Sequence, residues 1–111
     1  MITRLALDDD PRRWPRWRGT FIAQTVDEAV ALLTDNPQIV EVSLDYDLYH
    51  GPDGLARTGM DLARWLAENR PQVLVTVHSR NWRKLGHLRL FLFCRRAGMR
   101  VRSRVFPLGL G

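Results

Sequence analysis

Apolar and polar residues follow two different periods along this chain, and segments of the two kinds alternate. Segments with period two, or a short continuous apolar run, predict five strands, at residues 2–7, 20–23, 39–44, 73–77 and 101–106. Apolar residues three and four positions apart predict three helices, between Thr25 and Asn36, over 59–69 and over 82–97. Thr25 and Glu28 form a capping box at the start of the first helix, and Gly98 stops the last.

The order of these elements predicts the fold class. Strands that alternate with helices through short connections are typical of a parallel sheet with helices on both faces. We therefore expect an α/β fold, with a single doubly wound, mostly parallel five-stranded sheet, and one domain over residues 1–111. Right-handed crossovers place the carboxyl ends of the strands along one edge, where open α/β sheets bind their ligands.

The net charge of +5 is unevenly distributed along the chain. Residues 1–79 contain all 12 acidic side chains and 8 arginines, whereas residues 80–111 contain 9 basic side chains and no acidic one. Of the 17 basic residues only Lys84 is not an arginine. Because the planar guanidinium group suits phosphate oxygens, an anionic partner is one interpretation, and an arginine-rich proteome is the other.

Two further features of the sequence concern the location of the protein and the state of its cysteine. No apolar run approaches the ~20 residues that a membrane helix needs, and we expect a cytoplasmic protein. Cys94 is the only cysteine, so no internal disulfide forms, and its apolar neighbours on a helix predict a buried thiol rather than a nucleophile.

Polar clusters follow three of the predicted strands and are expected to meet at one edge of the sheet. The clusters are Asp8-Asp9-Asp10, Asp45-Tyr46-Asp47 and His78-Ser79-Arg80-Asn81. Carboxylates that converge in one crevice repel each other unless a cation neutralises them or some remain protonated. Mg²⁺ suits such a site because it binds carboxylates and phosphate oxygens together, whereas one histidine is too few for a typical zinc site.

Each cluster also has a purely structural interpretation. Asp8 to Pro11 is a common turn sequence, and a histidine that ends a buried strand is often part of the core. Ser79 and Asn81 are suitable caps for the helix predicted to begin near Trp82. This last role is compatible with phosphate binding, because a helix N-terminus presents free backbone N–H groups to an anion.

The same clusters carry a resemblance that covers nearly the whole chain. The matching segments are Leu-Asp-Asp-Asp-Pro-Arg (7–12), Ser-Leu-Asp-Tyr-Asp-Leu (43–48), Thr-Gly-Met-Asp (58–61) and His-Ser-Arg-Asn (78–81). The layout resembles a receiver domain of two-component signalling and, more closely, the cyclic-phosphate processing receiver domain family. Two positions depart from the expected pattern: Tyr46 stands where a histidine is expected, and Arg104 is in the region of the usual receiver lysine.

The resemblance implies a receiver-like, flavodoxin-like sheet and a site that acts on cyclic phosphates of nucleotides or of RNA ends. If the domain is an enzyme, we expect hydrolysis of a cyclic phosphodiester, with Asp8 or Asp9 and Asp45 holding Mg²⁺ and Asp47 orienting the attacking water. His78 would protonate the leaving alkoxide as a general acid. The residues expected to bind phosphate are Arg12, Tyr46, Ser79, Arg80 and Asn81.

Two other functions fit the sequence. A regulatory receiver would be phosphorylated on Asp45, although Asp47 and His78 argue against that. A nucleic-acid-binding module without catalysis would use the mixed basic and aromatic run at residues 12–18, or the arginine-rich residues beyond 80, to contact RNA.

Overall fold

The computed structural model describes residues 1–8, 19–45, 59–79 and 85–105 of the 111-residue chain. The strands are β1 (Arg4–Leu7), β2 (Thr20–Ala23), β3 (Glu41–Asp45), β4 (Leu74–Ser79) and β5 (Arg100–Val105). The helices are α1 (Val26–Asp35), α2 (Gly59–Asn69) and α3 (Leu85–Arg96). The predicted succession of strands and helices is confirmed.

The five strands form one parallel sheet in the order β2-β1-β3-β4-β5. The chain runs from β1 to one edge of the sheet at β2, returns across β1 to β3, and then continues to the other edge at β5. This is a doubly wound order in which the direction of winding reverses between β1 and β3. The receiver-like, flavodoxin-like α/β fold expected from the sequence is therefore confirmed.

The two faces of the sheet differ in chemistry, because alternate residues of a strand point to opposite faces. We call one face the apolar face. In the central strands it is formed by Leu5, Leu7, Val42, Leu44, Val75 and Val77. The other, called the polar face, consists there of Arg4, Ala6, Asp8, Glu41, Ser43, Asp45, Leu74, Thr76 and His78. In the parallel register Glu41 is beside Arg4, Ser43 is beside Thr76, and Asp45 is beside His78.

All three described helices pack side by side against the apolar face, whereas the sequence predicted helices on both faces; no helix of the described ranges lies on the polar face. α2 contacts α1 on one side and α3 on the other. Their buried side chains join the strand residues in one hydrophobic core, to which α1 contributes Leu33, α2 contributes Leu62 and Leu66, and α3 contributes Leu90 and Cys94. The capping box predicted for the first helix is present, since the Thr25 hydroxyl accepts a hydrogen bond from the Glu28 amide at 3.1 Å.

Several strand boundaries differ from the sequence prediction by one or two residues, and the difference at β4 reaches the site. β4 continues through His78 and Ser79, because β3 and β5 flank it and pairing extends to the Asp45–His78 and Ser79–Val105 positions. The described part of α3 starts at Leu85, and residues 80–84 lie outside the described residues, so the caps predicted at Ser79 and Asn81 stay predictions.

Arg70, which directly follows α2, forms hydrogen bonds with the end of α1 and with the connection between α1 and β3. Its guanidinium group donates hydrogen bonds to the carbonyl oxygens of Leu33 at 2.8 Å, Pro37 at 3.0 Å and Ile39 at 2.6 Å. These carbonyls lie at and beyond the C-terminus of α1, where helix geometry leaves acceptors without intrahelical partners. One side chain therefore fixes the position of α1 relative to α2.

None of the helices in the described ranges has the length and apolar character required to cross a membrane.

Candidate functional site

Three of the side chains predicted to form a site meet at the carboxyl ends of adjacent strands. Asp8 directly follows β1, Asp45 is the last residue of β3, and His78 is the penultimate residue of β4. Asp8 and His78 are 0% exposed and Asp45 is 7% exposed. All three belong to the polar face, so the structure brings them together without removing any apolar residue from the core.

Both ring nitrogens of His78 contact a polar side-chain atom, one at the end of β1 and one in β3. Nε2 lies 3.2 Å from Oδ2 of Asp8, with both side chains fully buried. Nδ1 lies 2.6 Å from the hydroxyl oxygen of Ser43. A ring held at both nitrogens has a defined orientation, and its tautomer determines which nitrogen donates.

Ser43 is a site residue to which the sequence interpretation assigned no role. It lies in the middle of β3, two residues before Asp45 and therefore on the same face of the sheet. The signal in the sequence is a serine two residues before Asp45, in a strand whose polar residues alternate with apolar ones. That pattern identifies the face, but only the register between β3 and β4 shows that the hydroxyl reaches His78.

The buried carboxylates give the site a strong preference for a neighbouring positive charge. An ionised carboxylate that is removed from water is destabilised unless hydrogen bonds, an opposite charge or a metal ion compensates it. His78 supplies the hydrogen-bond partner of Asp8, and an imidazolium form would supply a charge as well. The site is therefore suited to bind a cation, or a proton shared among these groups.

The donor atoms are close enough to ligate one metal ion. One oxygen of Asp8, one of Asp45 and one ring nitrogen of His78 all lie within 4.8 Å of one another. Ligands at about 2.1 Å from a single ion lie roughly 3–4 Å apart, so a small inward movement completes the arrangement. The residues present thus fit a divalent cation: two carboxylates suit Mg²⁺, and the imidazole nitrogen additionally suits transition metals.

The remaining predicted site residues are not positioned by the structure. Ser79 lies in β4, where only its backbone is described. The others fall outside the described residues: Asp9, Arg12, Tyr46, Asp47, Arg80 and Asn81. Their roles stay predictions.

Below the site, the polar face continues as a strip of charged and hydroxyl groups. Arg102 of β5 donates from Nε to the Thr76 hydroxyl at 2.8 Å and lies 4.0 Å from the Glu41 carboxylate. Arg4 of β1 approaches the same carboxylate at 3.9 Å. Side chains of four strands are thus linked across this face, and the strip leads from the edge of the sheet toward Ser43.

α3 presents a basic surface around a shallow groove. The groove has a volume of about 420 Å³ and is lined by Arg89, Leu92, Phe93, Arg96 and Ala97. Arg89 and Arg96 are exposed, as is the adjacent Arg95, and no described residue is a hydrogen-bond or ion-pair partner of these three. Their guanidinium groups are therefore available to an anionic partner.

Cys94 is on the opposite, inward side of α3. Burial raises the pKa of its thiol from 9.0 to about 11, because the thiolate would be desolvated. This agrees with the sequence interpretation of a buried thiol, since nucleophilic cysteines require a lowered pKa.

Comparison with known protein families shows which family has this sequence pattern. Residues 3–89 match the family model described as the cyclic-phosphate processing receiver domain. The chain belongs to this family. The match covers β1 to the first turn of α3, and it includes Asp8, Ser43, Asp45 and His78. No curated protein sequence matches this receiver domain.

Several solved structures are similar in fold to this receiver domain. NtrX from Brucella abortus in complex with ATP is 20% identical, with a TM-score of 0.67, over 96% of this chain and 24% of that chain. A putative two-component response regulator/GGDEF domain protein is 23% identical, with a TM-score of 0.64, over 93% of this chain and 42% of the other.

The signal receiver domain of a putative LuxO repressor protein from Vibrio parahaemolyticus is 16% identical, with a TM-score of 0.62. That match covers 96% of this chain and 81% of the other. The chain thus spans less than half the length of the two response regulators above, and at these identities the likeness establishes the fold alone.

Proposed function

We propose that this domain binds cyclic phosphates of nucleotides or RNA ends and hydrolyses one of their two ester bonds. The observation that carries the proposal is the contact of His78 with Asp8, beside Asp45, in a chain of the cyclic-phosphate processing family. Ordinary phosphoacceptor chemistry does not need an imidazole here, whereas hydrolysis of an ester needs a group that protonates the departing oxygen.

The proposed reaction is the addition of water across one P–O bond. The water oxygen attacks phosphorus, the bond to one ribose oxygen breaks, and that oxygen leaves as an alkoxide. His78, in its imidazolium form, protonates the alkoxide through Nε2, the nitrogen that faces Asp8, and becomes the neutral imidazole. The product is a phosphate monoester and a free hydroxyl group, and His78 regains its proton from the attacking water.

Asp8 and Asp45 are the residues proposed to hold a divalent cation, with Asp9 as the third carboxylate predicted from the sequence. A bound Mg²⁺ would offset the charge of the carboxylates and polarise a phosphoryl oxygen. Asp47 is proposed to orient the water. The proposed phosphate contacts remain Arg12, Tyr46, Ser79, Arg80 and Asn81.

The decisive test is release of a monoester from a panel of 2′,3′-cyclic nucleotides, 3′,5′-cyclic nucleotides and RNA with a 2′,3′-cyclic end. Each substrate is assayed with Mg²⁺ and with EDTA, using wild type, His78→Gln and Asp45→Asn. Glu68→Gln is the matched control, because Glu68 is an exposed carboxylate on α2 far from the strand ends.

We expect turnover that requires metal, is unchanged in Glu68→Gln, and falls roughly 100-fold or more in both site variants. The substrate preferred within the panel distinguishes a nucleotide from an RNA end. Absence of turnover on every member, from wild type with a cooperative unfolding transition, would falsify the hydrolase proposal.

A second candidate function, a phosphorylated regulatory receiver, is favoured by one observation: Asp45 ends β3 of a receiver fold. In that case a small acyl phosphate donor would add one phosphoryl group to Asp45. Mass spectrometry of wild type and Asp45→Asn distinguishes the two functions. A stable phosphoryl adduct without turnover of cyclic substrates would favour the regulatory receiver.

Recruitment of an RNA end through the basic surface of α3 is proposed as an accessory role. Arg89 and Arg96 are seven residues apart, so they lie on the same side of the helix and about 10 Å apart along its axis. Phe93 lies between them in the groove and offers an aromatic face. Such a surface suits a single strand whose phosphates meet the arginines.

A further inference from the structure

Ser43 and His78 join adjacent strands through a short side-chain contact at the floor of the site. The distance between Oγ of Ser43 and Nδ1 of His78 is 2.6 Å, which is shorter than the 3.2 Å between Nε2 and Oδ2 of Asp8. Ser43 lies in the middle of β3, so pairing with β1 and β4 on both sides holds its backbone. The hydroxyl group is therefore presented to the imidazole from a rigid position.

The carboxylate at Nε2 determines which partner donates the hydrogen bond between Nδ1 and Ser43. Asp8 at Nε2 offers a carboxylate, which when ionised only accepts hydrogen bonds. A neutral imidazole satisfies this acceptor only if the hydrogen is on Nε2, and Nδ1 then has a lone pair that requires a donor. The Ser43 hydroxyl is that donor, and it lies at the distance expected for a strong O–H hydrogen bond.

The geometry points to Ser43 as a positioning residue that holds neutral His78 as the Nε2–H tautomer with its ring directed at Asp8. The functional meaning of this role rests on the proposed hydrolase, because Nε2 is the nitrogen assigned to protonate the leaving oxygen. A hydroxyl group also accepts a hydrogen bond when it rotates. Ser43 therefore remains a partner of Nδ1 when the ring carries both protons, and the ring orientation is retained.

The tautomer is measurable without any substrate. Long-range ¹H–¹⁵N correlation spectra of ¹⁵N-histidine-labelled protein in EDTA, at a pH about two units above the ordinary histidine pKa, distinguish the two neutral forms. The resonances of His78 are assigned by their loss in His78→Gln. In wild type we expect one acceptor-type nitrogen, Nδ1, and one N–H-type nitrogen, Nε2, with widely separated shifts.

Two substitutions at Ser43 test whether its hydroxyl group selects the tautomer of His78. Ser43→Ala removes the donor and is expected to shift both nitrogens toward averaged values, as the ring exchanges between tautomers. Ser43→Thr keeps a hydroxyl group and suits a strand, and we expect it to restore the wild-type pattern. Wild type that contains the Nδ1–H tautomer overturns the inference without any variant, and so does Ser43→Ala with unchanged shifts.

Steady-state kinetics supply the second readout on the substrate selected from the panel. We expect Ser43→Ala to lower kcat on the order of 10-fold with little change in KM, because a misoriented acid loses part of the roughly 10²–10⁴-fold that a positioned one supplies. Ser43→Thr should recover most of the rate. If wild type has no turnover, the proposed function fails while the nitrogen shifts still decide the role of Ser43.

Discussion

Gly59, the first residue of α2, lies against the main-chain carbonyl oxygen of Asp45, the last residue of β3. A methyl group on Gly59 would overlap that oxygen and would come within 3.3 Å of Cδ2 of Leu90 on α3. The start of α2 is thus packed directly on the strand end that carries a site carboxylate. A side chain at position 59 would displace the helix, the strand end or both.

Gly59→Ala is therefore expected to destabilise the domain, although the same change in most helices is favourable. The overlap should lower the free energy of unfolding by about 1–3 kcal/mol, the usual cost of forcing an extra group into a packed interior. Urea unfolding followed by circular dichroism measures the change. Glu68→Ala, an exposed position of the same helix, should stay within about 0.5 kcal/mol of wild type. Equal effects of the two substitutions would contradict the close approach.

Asp45→Asn should stabilise the metal-free protein and remove its response to Mg²⁺. Asparagine has the shape of aspartate without its charge, so the variant lacks the repulsion between two buried carboxylates. We expect a gain of about 1 kcal/mol in EDTA, or roughly 4–8 °C in Tm. Wild type should instead gain about 2.7 kcal/mol from Mg²⁺ at 100 times its Kd. Thermal unfolding with and without Mg²⁺ gives both values, and equal Mg²⁺ shifts in the two proteins would argue against binding at Asp45.

Arg70→Ala should lower the free energy of unfolding by about 2 kcal/mol, because three carbonyl oxygens lose a charged donor. Arg70→Lys should fall between the alanine variant and wild type, since an ammonium group does not reproduce the planar fork. The measurement is the midpoint of urea unfolding. Arg64→Ala, on the exposed side of α2, is the matched control. A midpoint that is the same for Arg70→Ala and Arg64→Ala would show that the three bonds contribute nothing net.

Cys94 should make stability decrease at alkaline pH. The folded thiol has its pKa raised from 9.0 to about 11, so above pH 9 the unfolded chain loses this proton while the folded chain retains it. The unfolded state is therefore favoured progressively between pH 9 and about pH 11, by on the order of 2 kcal/mol. Comparing the pH dependence of wild type and Cys94→Ala isolates this contribution. At neutral pH the native thiol should resist alkylation until the protein unfolds, and rapid labelling of native protein would contradict its burial.

The basic surface of α3 should contribute a salt-dependent part of RNA binding. Arg89→Ala combined with Arg96→Ala is expected to weaken binding of a single-stranded RNA and to reduce the slope of log K against log salt by roughly 1.4. Fluorescence anisotropy over a salt series measures both quantities. Arg64→Ala removes one exposed arginine from α2 and should leave the slope unchanged. Identical slopes for the double variant and wild type would place any RNA contact elsewhere.

The sequence predicts the fold well because its signals are local. Period-two strands, the Thr25–Glu28 capping box and the apolar run that becomes β4 each depend on neighbouring residues only. The parallel order then follows from the alternation of strands with helices. For the same reason the meeting of Asp8, Asp45 and His78 was predictable: strand ends of a doubly wound sheet lie along one edge.

The details that depend on register were not predictable. The contact of Ser43 with His78 joins residues 35 positions apart and exists because Ser43 is paired beside Thr76. The extension of β4 through Ser79 likewise requires two flanking strands, which the sequence around Ser79 does not specify. Gly59 was recognised as the start of a helix, but the carbonyl that excludes any side chain there comes from β3.

The alternation between the two faces of the sheet means that adjacent positions in one strand are subject to different selection. Leu44 belongs to the hydrophobic core, whereas Asp45 faces the site, and Val77 and His78 are related in the same way. A gene library that varies only the polar-face codons of β1, β3 and β4 would change the chemistry of the site while the core residues stay the same. A library that varies the apolar-face codons would instead change the stability of the fold.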